Sequence, residues 1–323
     1  MTAASPDRRR AALLAAFLVA WVTGSVLGAG EHERAVARPL LQIEPAHAEY
    51  VPVLNSEEPI FILVIGSDAR PDQEVNSQRA DSLHIVAVNP AKHKATILGI
   101  PRDSNVPIPD YGTTKINAAL TMGGPELVVR TVEELTGLTM DYWAITAFDG
   151  FRSMVDQIDG LVVDVPFAMD DAAARAFFEP GVQRLDGDDA LAFARDRHDL
   201  PAGDFGRSEN QGLLMVSALA QLRKEFAHDP SRLLGWIGAF TRNTGSSVAL
   251  DELINLAFTG TSVTHSNVVN IVAPGGTAME GGLSVVTLDQ AALQAISADL
   301  ADDGLLKKGN IPPSPNAPLV GGE

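Results

Sequence analysis

Ile60-Phe61-Ile62-Leu63-Val64-Ile65 is an unbroken apolar run that ends in Gly66-Ser67-Asp68. A strand covered on both faces of a sheet takes this form, because neither face leaves room for polar alternation. Ser82 to Val88 and Ala95 to Ile100 repeat it on either side of the turn-forming Asn89-Pro90-Ala91-Lys92-His93-Lys94, which predicts a β-hairpin. Apolar residues at helical spacing predict helices over Pro125 to Gly137 and Phe148 to Ile158, then Asp188 to Asp196, Asn210 to Phe226, Asp251 to Phe258 and Leu288 to Leu300. Leu161 to Val165 and Val268 to Val272 read as further strands. The interleaving has no strict βα repeat, so the expected class is α/β, with one mixed sheet layered by helices.

The 323 residues, 46% hydrophobic, carry a net charge of −17. A chain this acidic repels nucleic acid, and with no cysteine it has neither a disulfide framework nor a thiolate metal site. Arg8-Arg9-Arg10 precede an uncharged stretch from Ala11 to Gly30, about the length that crosses a bilayer. Residues 1–30 are therefore expected to be a cytoplasmic tip and single membrane anchor, with everything after Glu31 extracytoplasmic. A cleaved signal peptide is the other reading, Ala46-His47-Ala48 being the small-residue site. Residues 31–57 read as a linker, 58–304 as the working domain and 305–323 as a disordered tail.

Charge of the minority sign is concentrated. Arg195, Arg197 and Arg207, with Gln211, fall within seventeen residues and suit a polyphosphate, because each guanidinium presents a rigid fork of donors. Surface arginines paired with Asp196, Asp199 and Asp204 would give the same pattern. Upstream, Asp68 follows the first strand, Arg79 and Asp81 bracket the start of the second, and Arg102 follows the third. All four then lie at one end of the sheet. Asp68 and Asp81 suit a shared magnesium ion, which commonly takes only one or two protein carboxylates and fills its shell with water and phosphate oxygens. Lys115 reads either as a further phosphate contact or as an ordinary loop lysine. Leu213, Leu214, Val216, Leu219, Leu222, Phe177, Phe178, Trp236 and Phe240 would pack the core or line an apolar pocket.

Gly66-Ser67-Asp68-Ala69-Arg70, Arg79-Ala80-Asp81-Ser82, Ile100-Pro101-Arg102-Asp103, Lys115-Ile116-Asn117-Ala118, Ala194-Arg195-Asp196-Arg197 and Gly203-Asp204-Phe205-Gly206-Arg207 come in that order. This succession resembles the LytR-CpsA-Psr family from about residue 58 to about 300. The resemblance implies a three-layer α/β/α sandwich whose apolar pocket holds a polyprenyl chain, with the lipid's pyrophosphate at its mouth. It implies transfer of a lipid-linked glycan, such as teichoic acid, capsule or arabinogalactan, onto peptidoglycan at the outer face of the cell membrane. By the same resemblance Asp68 and Asp81 would engage magnesium, and Arg79, Arg102, Arg195, Arg197, Arg207 and Gln211 would hold the pyrophosphate. Asp204, beside Arg207, is the expected base. A phosphohydrolase acting on the same lipid, or a non-catalytic envelope regulator, are the alternatives. Relatives often carry arginine where this chain has Asn210.

Overall fold

The computed structural model describes residues 58–317, Asp72 excepted. The expected anchor and the whole of the expected linker lie outside them. Among the described residues no helix is long and apolar enough to cross a membrane.

The opening run is strand β1, Ile60–Ser67, antiparallel to β2, Ala80–Asn89, which forms the expected hairpin with β3, Lys94–Gly99. The chain continues through β4 (Asn105–Ile108), β5 (Gly112–Lys115), α1 (Ala118–Thr136), β6 (Tyr142–Ala147), α2 (Phe148–Gln157), β7 (Leu161–Val165), β8 (Met169–Asp171), β9 (Ala176–Phe178) and β10 (Gly181–Leu185). It closes with α3 (Gly187–Arg195), α4 (Asp204–His228), α5 (Arg232–Asn243), β11 (Gly245–Ser246), α6 (Leu250–Ser262), β12 (Val268–Val272), β13 (Gly275–Glu280), β14 (Leu283–Leu288) and α7 (Gln290–Asp303). The central sheet runs β11-β6-β1-β2-β3-β12, with β6 parallel to β1 and β12 parallel to β3.

Both faces of this mixed sheet are covered, which is why β1 does not alternate. Leu63 and Ile65, opposite Ile85 and Leu83, point into a core shared with Leu120, Val128 and Val132 of α1 and Leu293, Ile296 and Leu300 of α7. Ile62 faces the other way, toward Leu253 and Leu256 of α6, and His84 meets α4 there. The result is the three-layer α/β/α sandwich.

Several expectations change. β7 leaves the central sheet and pairs with β10, and β4–β5, β8–β9 and β13–β14 are separate two-stranded sheets. The helix expected from Pro125 is the second segment of α1, which begins at Ala118 and breaks at Gly123 and Gly124, the latter at φ 71°. α4 starts at Asp204 rather than Asn210. Residues 305–317, expected to be disordered, are fastened by polar contacts to α4: Asn316 donates to the Gly206 carbonyl and to Asn210, and Ser314 to Glu209. A Cβ on Gly206 would meet the Asn316 side chain, so glycine here leaves room for the strap to sit as it does.

α4 is set on the sheet by His84. The ring is fully buried, its Nε2 donates to the Ser208 carbonyl at 2.9 Å, and Nδ1 accepts from the Ser82 hydroxyl at 3.0 Å. Gly99 makes the close approach possible, since a Cβ there would meet Ser208 Oγ at 2.4 Å. Burial lowers the ring from 6.5 to about 4, against the opposing pull of the Ser208 hydrogen bond. The unfolded chain therefore takes up this proton near pH 6.5 and the folded chain only near pH 4, so His84 withdraws stability as pH falls through that window, by about 3 kcal/mol in all. Urea unfolding of wild type and His84→Gln should show the variant with a flatter pH dependence between 6.5 and 4; parallel curves would show that the ring is protonated in the fold.

Candidate active site

At the ends of β1, β2 and β3 four charges close into a ring. Arg102 Nη1 donates to Asp81 Oδ1, and Arg102 Nε lies 3.8 Å from Asp204 Oδ1. Arg207 Nη2 donates to that oxygen of Asp204 at 2.5 Å, and Arg207 Nη1 lies 3.9 Å from Asp81. Asp81, Asp204 and Arg207 are buried, so each charge is tolerable only because its neighbours in the ring oppose it. Burial lowers the Arg207 pKa in spite of both carboxylates.

Local structure aims these groups. The pairing of β1 with β2 slips between Gly66 and Ser67, which oppose Ser82 and Ala80, leaving Asp81 as the bulged residue. A bulge of this kind redirects a side chain at a strand end. Asp204 opens α4, where a carboxylate is favoured by the helix dipole, and Arg207 stands one turn on.

The ring borders a polar pocket of about 280 Å³ walled by Asp68, Arg70, Asp81, Arg102, Arg195, Arg197, His198 and Arg207. Asp81, Phe148 and Arg195 also wall a second cavity, about 300 Å³, whose other walls include Val64, Phe151, Met154, Leu214, Met215, Trp236 and Phe240. An apolar chamber thus opens on a cationic mouth. The Phe148 ring stands at the junction, with the guanidinium carbons of Arg195 and Arg70 at 5.2 and 5.4 Å from its centroid. Cation–π contact of this kind holds an arginine in place while leaving its N–H groups free for a ligand.

The structure brings Asp68, Asp81, Arg102, Arg195, Arg197 and Arg207 to the pocket as expected. Arg79 is not brought there: its side chain is exposed before β2, and its carbonyl accepts from Asp68 N. Lys115 is held by Asp103 at 2.9 Å, away from the pocket walls. Gln211 works from behind, lining the apolar chamber while its amide donates to the Ala194 and Asp81 carbonyls. Asp204 faces a neighbouring groove of about 490 Å³, shared with Asp103, Arg197, His198, Phe205, Thr277 and Ser284. Of the apolar residues proposed for a pocket, Leu214, Trp236 and Phe240 line the chamber, whereas Leu213, Val216, Leu219, Leu222, Phe177 and Phe178 do not. Arg70 and Phe148 escaped the sequence reading. Arg70 stood in the quoted Gly66–Arg70 motif without being given a role, and Phe148 reaches it only through the parallel pairing of β1 with β6.

Asp68 Oδ1 is buried without a hydrogen-bond partner beside Asp81, and an all-oxygen, partly unsatisfied pair fits a hard divalent cation. Asn210 faces Asn316 and does not line the pocket.

The chain belongs to the LytR_cpsA_psr family, whose profile matches residues 29–302. It is 37% identical over 176 residues to the polyisoprenyl-teichoic acid–peptidoglycan teichoic acid transferase TagV of Bacillus subtilis (strain 168), covering 51% of this chain and 44% of that one. The crystal structure of B. subtilis TagV superposes with a TM-score of 0.67 at 27% identity, over 77% of this chain and 98% of that one. TagT bound to LI-WTA gives 0.65 at 25% identity, over 79% and 93%. The chain spans about half the length of the curated relatives it matches.

Removing one member of the buried ring strands its partners. Arg207→Met should lower the unfolding free energy by about 3 kcal/mol, while Arg70→Met, on the exposed rim, should change it by less than about 1 kcal/mol. Equal losses in urea titrations would show that the ring is not what holds this corner together.

Proposed function

We propose that this chain is a cell-wall glycopolymer phosphotransferase. It moves a glycan from a polyprenyl-pyrophosphate carrier onto peptidoglycan, from the outer face of a membrane to which residues 1–30 tether it. The observation that carries this reading is the junction itself: an apolar chamber and a cationic pocket meeting at Phe148 and Arg195 match a lipid tail ending in a diphosphate. The transferase names of its relatives support the same reading.

In the proposed reaction the prenyl chain lies among Phe151, Met215, Trp236 and Phe240, and Arg102, Arg195, Arg197 and Arg207 grip the diphosphate. A peptidoglycan hydroxyl oxygen attacks the glycan-side phosphorus, a new P–O bond forms, and the bond from that phosphorus to the bridging oxygen breaks. Polyprenyl monophosphate leaves with the electron pair. Arginines already in place stabilise the charge that gathers on these oxygens, which is where most phosphoryl-transfer catalysis resides. Arg102 Nε has no hydrogen-bond partner and is a donor in reserve. Asp204 borders the groove from which the acceptor would approach, and its buried, likewise unpartnered Oδ2 takes the hydroxyl proton. Asp68 and Asp81 would hold a magnesium ion, which when bound supplies further neutralisation of phosphate oxygens.

With the full-length chain, a polyprenyl-diphosphate-linked glycan, peptidoglycan fragments and magnesium, glycan should become covalently attached to the fragments. Arg102→Ala should lose roughly a hundredfold in rate. Equal rates would remove Arg102 from the site, and prenyl phosphate released without glycosylated peptidoglycan would make water the acceptor. Replacing magnesium with a chelator should reduce transfer, and unchanged transfer would remove the metal from Asp68 and Asp81.

A further inference from the structure

A second acidic group lies beside the cationic pocket, and the proposed reaction does not use it. Asp171, at the end of β8, and Asp196 and Asp199, in the loop after α3, each bring a carboxylate oxygen within 4.8 Å of the others. Asp196 has no exposed surface, and neither of its carboxylate oxygens has a hydrogen-bond partner. Its sequence neighbours Arg195 and Arg197 line the polar pocket, and neither guanidinium is among the groups that shift its carboxyl. A buried carboxylate with no counter-charge costs several kcal/mol, and only the Arg197 backbone N–H and the Asp199 carboxyl stand near enough to offset part of that. The fold keeps such a group, and places two more carboxylates against it.

We propose that Asp171, Asp196 and Asp199 form a binding site for a hard divalent cation, calcium by its tolerance of irregular oxygen shells, separate from Asp68 and Asp81. The two oxygens of Asp196 and one of Asp199 are the direct ligands. Asp171 closes the third side, its carboxylate kept anionic: burial would raise its pKa, but the backbone N–H and ring of His198, with the N–H groups of Ala174 and Arg197, hold it well below the usual carboxylate range. Asp199 is exposed, which provides entry for the ion and room for waters to complete a shell of six to eight oxygens. Without the ion, burial and then the adjacent Asp199 and Asp171 push Asp196 up to about 8, so a proton takes the cation's place near neutral pH.

The consequence is positional. Asp171 already receives the backbone N–H groups of Arg197 and His198. A cation held by Asp196 and Asp199 against the anionic Asp171 would draw the segment carrying Arg195 and Arg197 onto the β8–β9 hairpin, fixing both guanidinium groups over the pocket. The site itself does not depend on which reaction the pocket performs.

Calcium chloride titrated calorimetrically into the chelator-stripped full-length chain at 150 mM salt, which screens diffuse binding to an acidic surface, tests the assignment. Wild type should show a binding event and a calcium-dependent rise in Tm. Both should persist in Asp68→Asn, while Asp199→Asn, an exposed and structurally mild change, should weaken the affinity at least about tenfold. The proposal is overturned if Asp199→Asn binds calcium as wild type does, or if calcium leaves the Tm unchanged while Asp196→Asn is more stable than wild type. The latter would identify a pair of carboxyls sharing a proton.

Discussion

Burying charge is affordable only where opposite charge is buried with it, and the corner formed by the ends of β1, β2 and β3 is organised around that constraint. Asp81 and Asp204 alternate with Arg102 and Arg207, so that each member is flanked by opposite sign. The bulge at Asp81, the start of α4 at Asp204 and the His84 bridge beneath Ser208 all serve to deliver these four side chains to one point. Arg195 and Arg197, which pair with no carboxylate among the described residues, add to the pocket positive charge that the ring does not neutralise.

The second organising feature is the boundary between wet and dry. The face of β1 and β2 that carries Val64, Gly66 and Ser82 is only partly covered by α4, and α2 and α5 stand off far enough to leave the apolar chamber. Gly66 opposes Ser82 so closely that a Cβ would sit 2.9 Å from the Ser82 Cβ. Phe148, the first residue of α2 directly after β6, separates chamber from pocket and holds two arginines against itself. A chain that buries an apolar tail on one side of this ring and presents guanidinium groups on the other is suited to amphiphiles carrying phosphate.

The central strands and the clustering of charge at their ends were legible because they follow from local pattern. An apolar run cannot lie on a solvated face, and residues immediately after it must emerge at the sheet's edge. Which charges point inward was not legible. Arg79 and Lys115 sit in motifs like those of Arg102 and Arg195, yet one is exposed and the other is intercepted by Asp103, a partner defined only by the β4–β5 turn. α5 was missed because Gly235 and Gly238 interrupt its apolar spacing, and its Trp236 and Phe240 acquire meaning only from the chamber they close. The ordered strap at residues 314–316 was hidden by its prolines; its stability comes from Glu209, Gly206 and Asn210 on α4 rather than from any local preference.

The central claim is that one amphiphile occupies both cavities. A crystal structure of the chain with a short-chain polyprenyl pyrophosphate tests it most directly. The account predicts prenyl density among Phe151, Met215, Trp236 and Phe240, with the diphosphate against Arg102, Arg195, Arg197 and Arg207. A diphosphate bound elsewhere, or a chamber closed by side-chain rotation while the head group lies alone in the pocket, would contradict it.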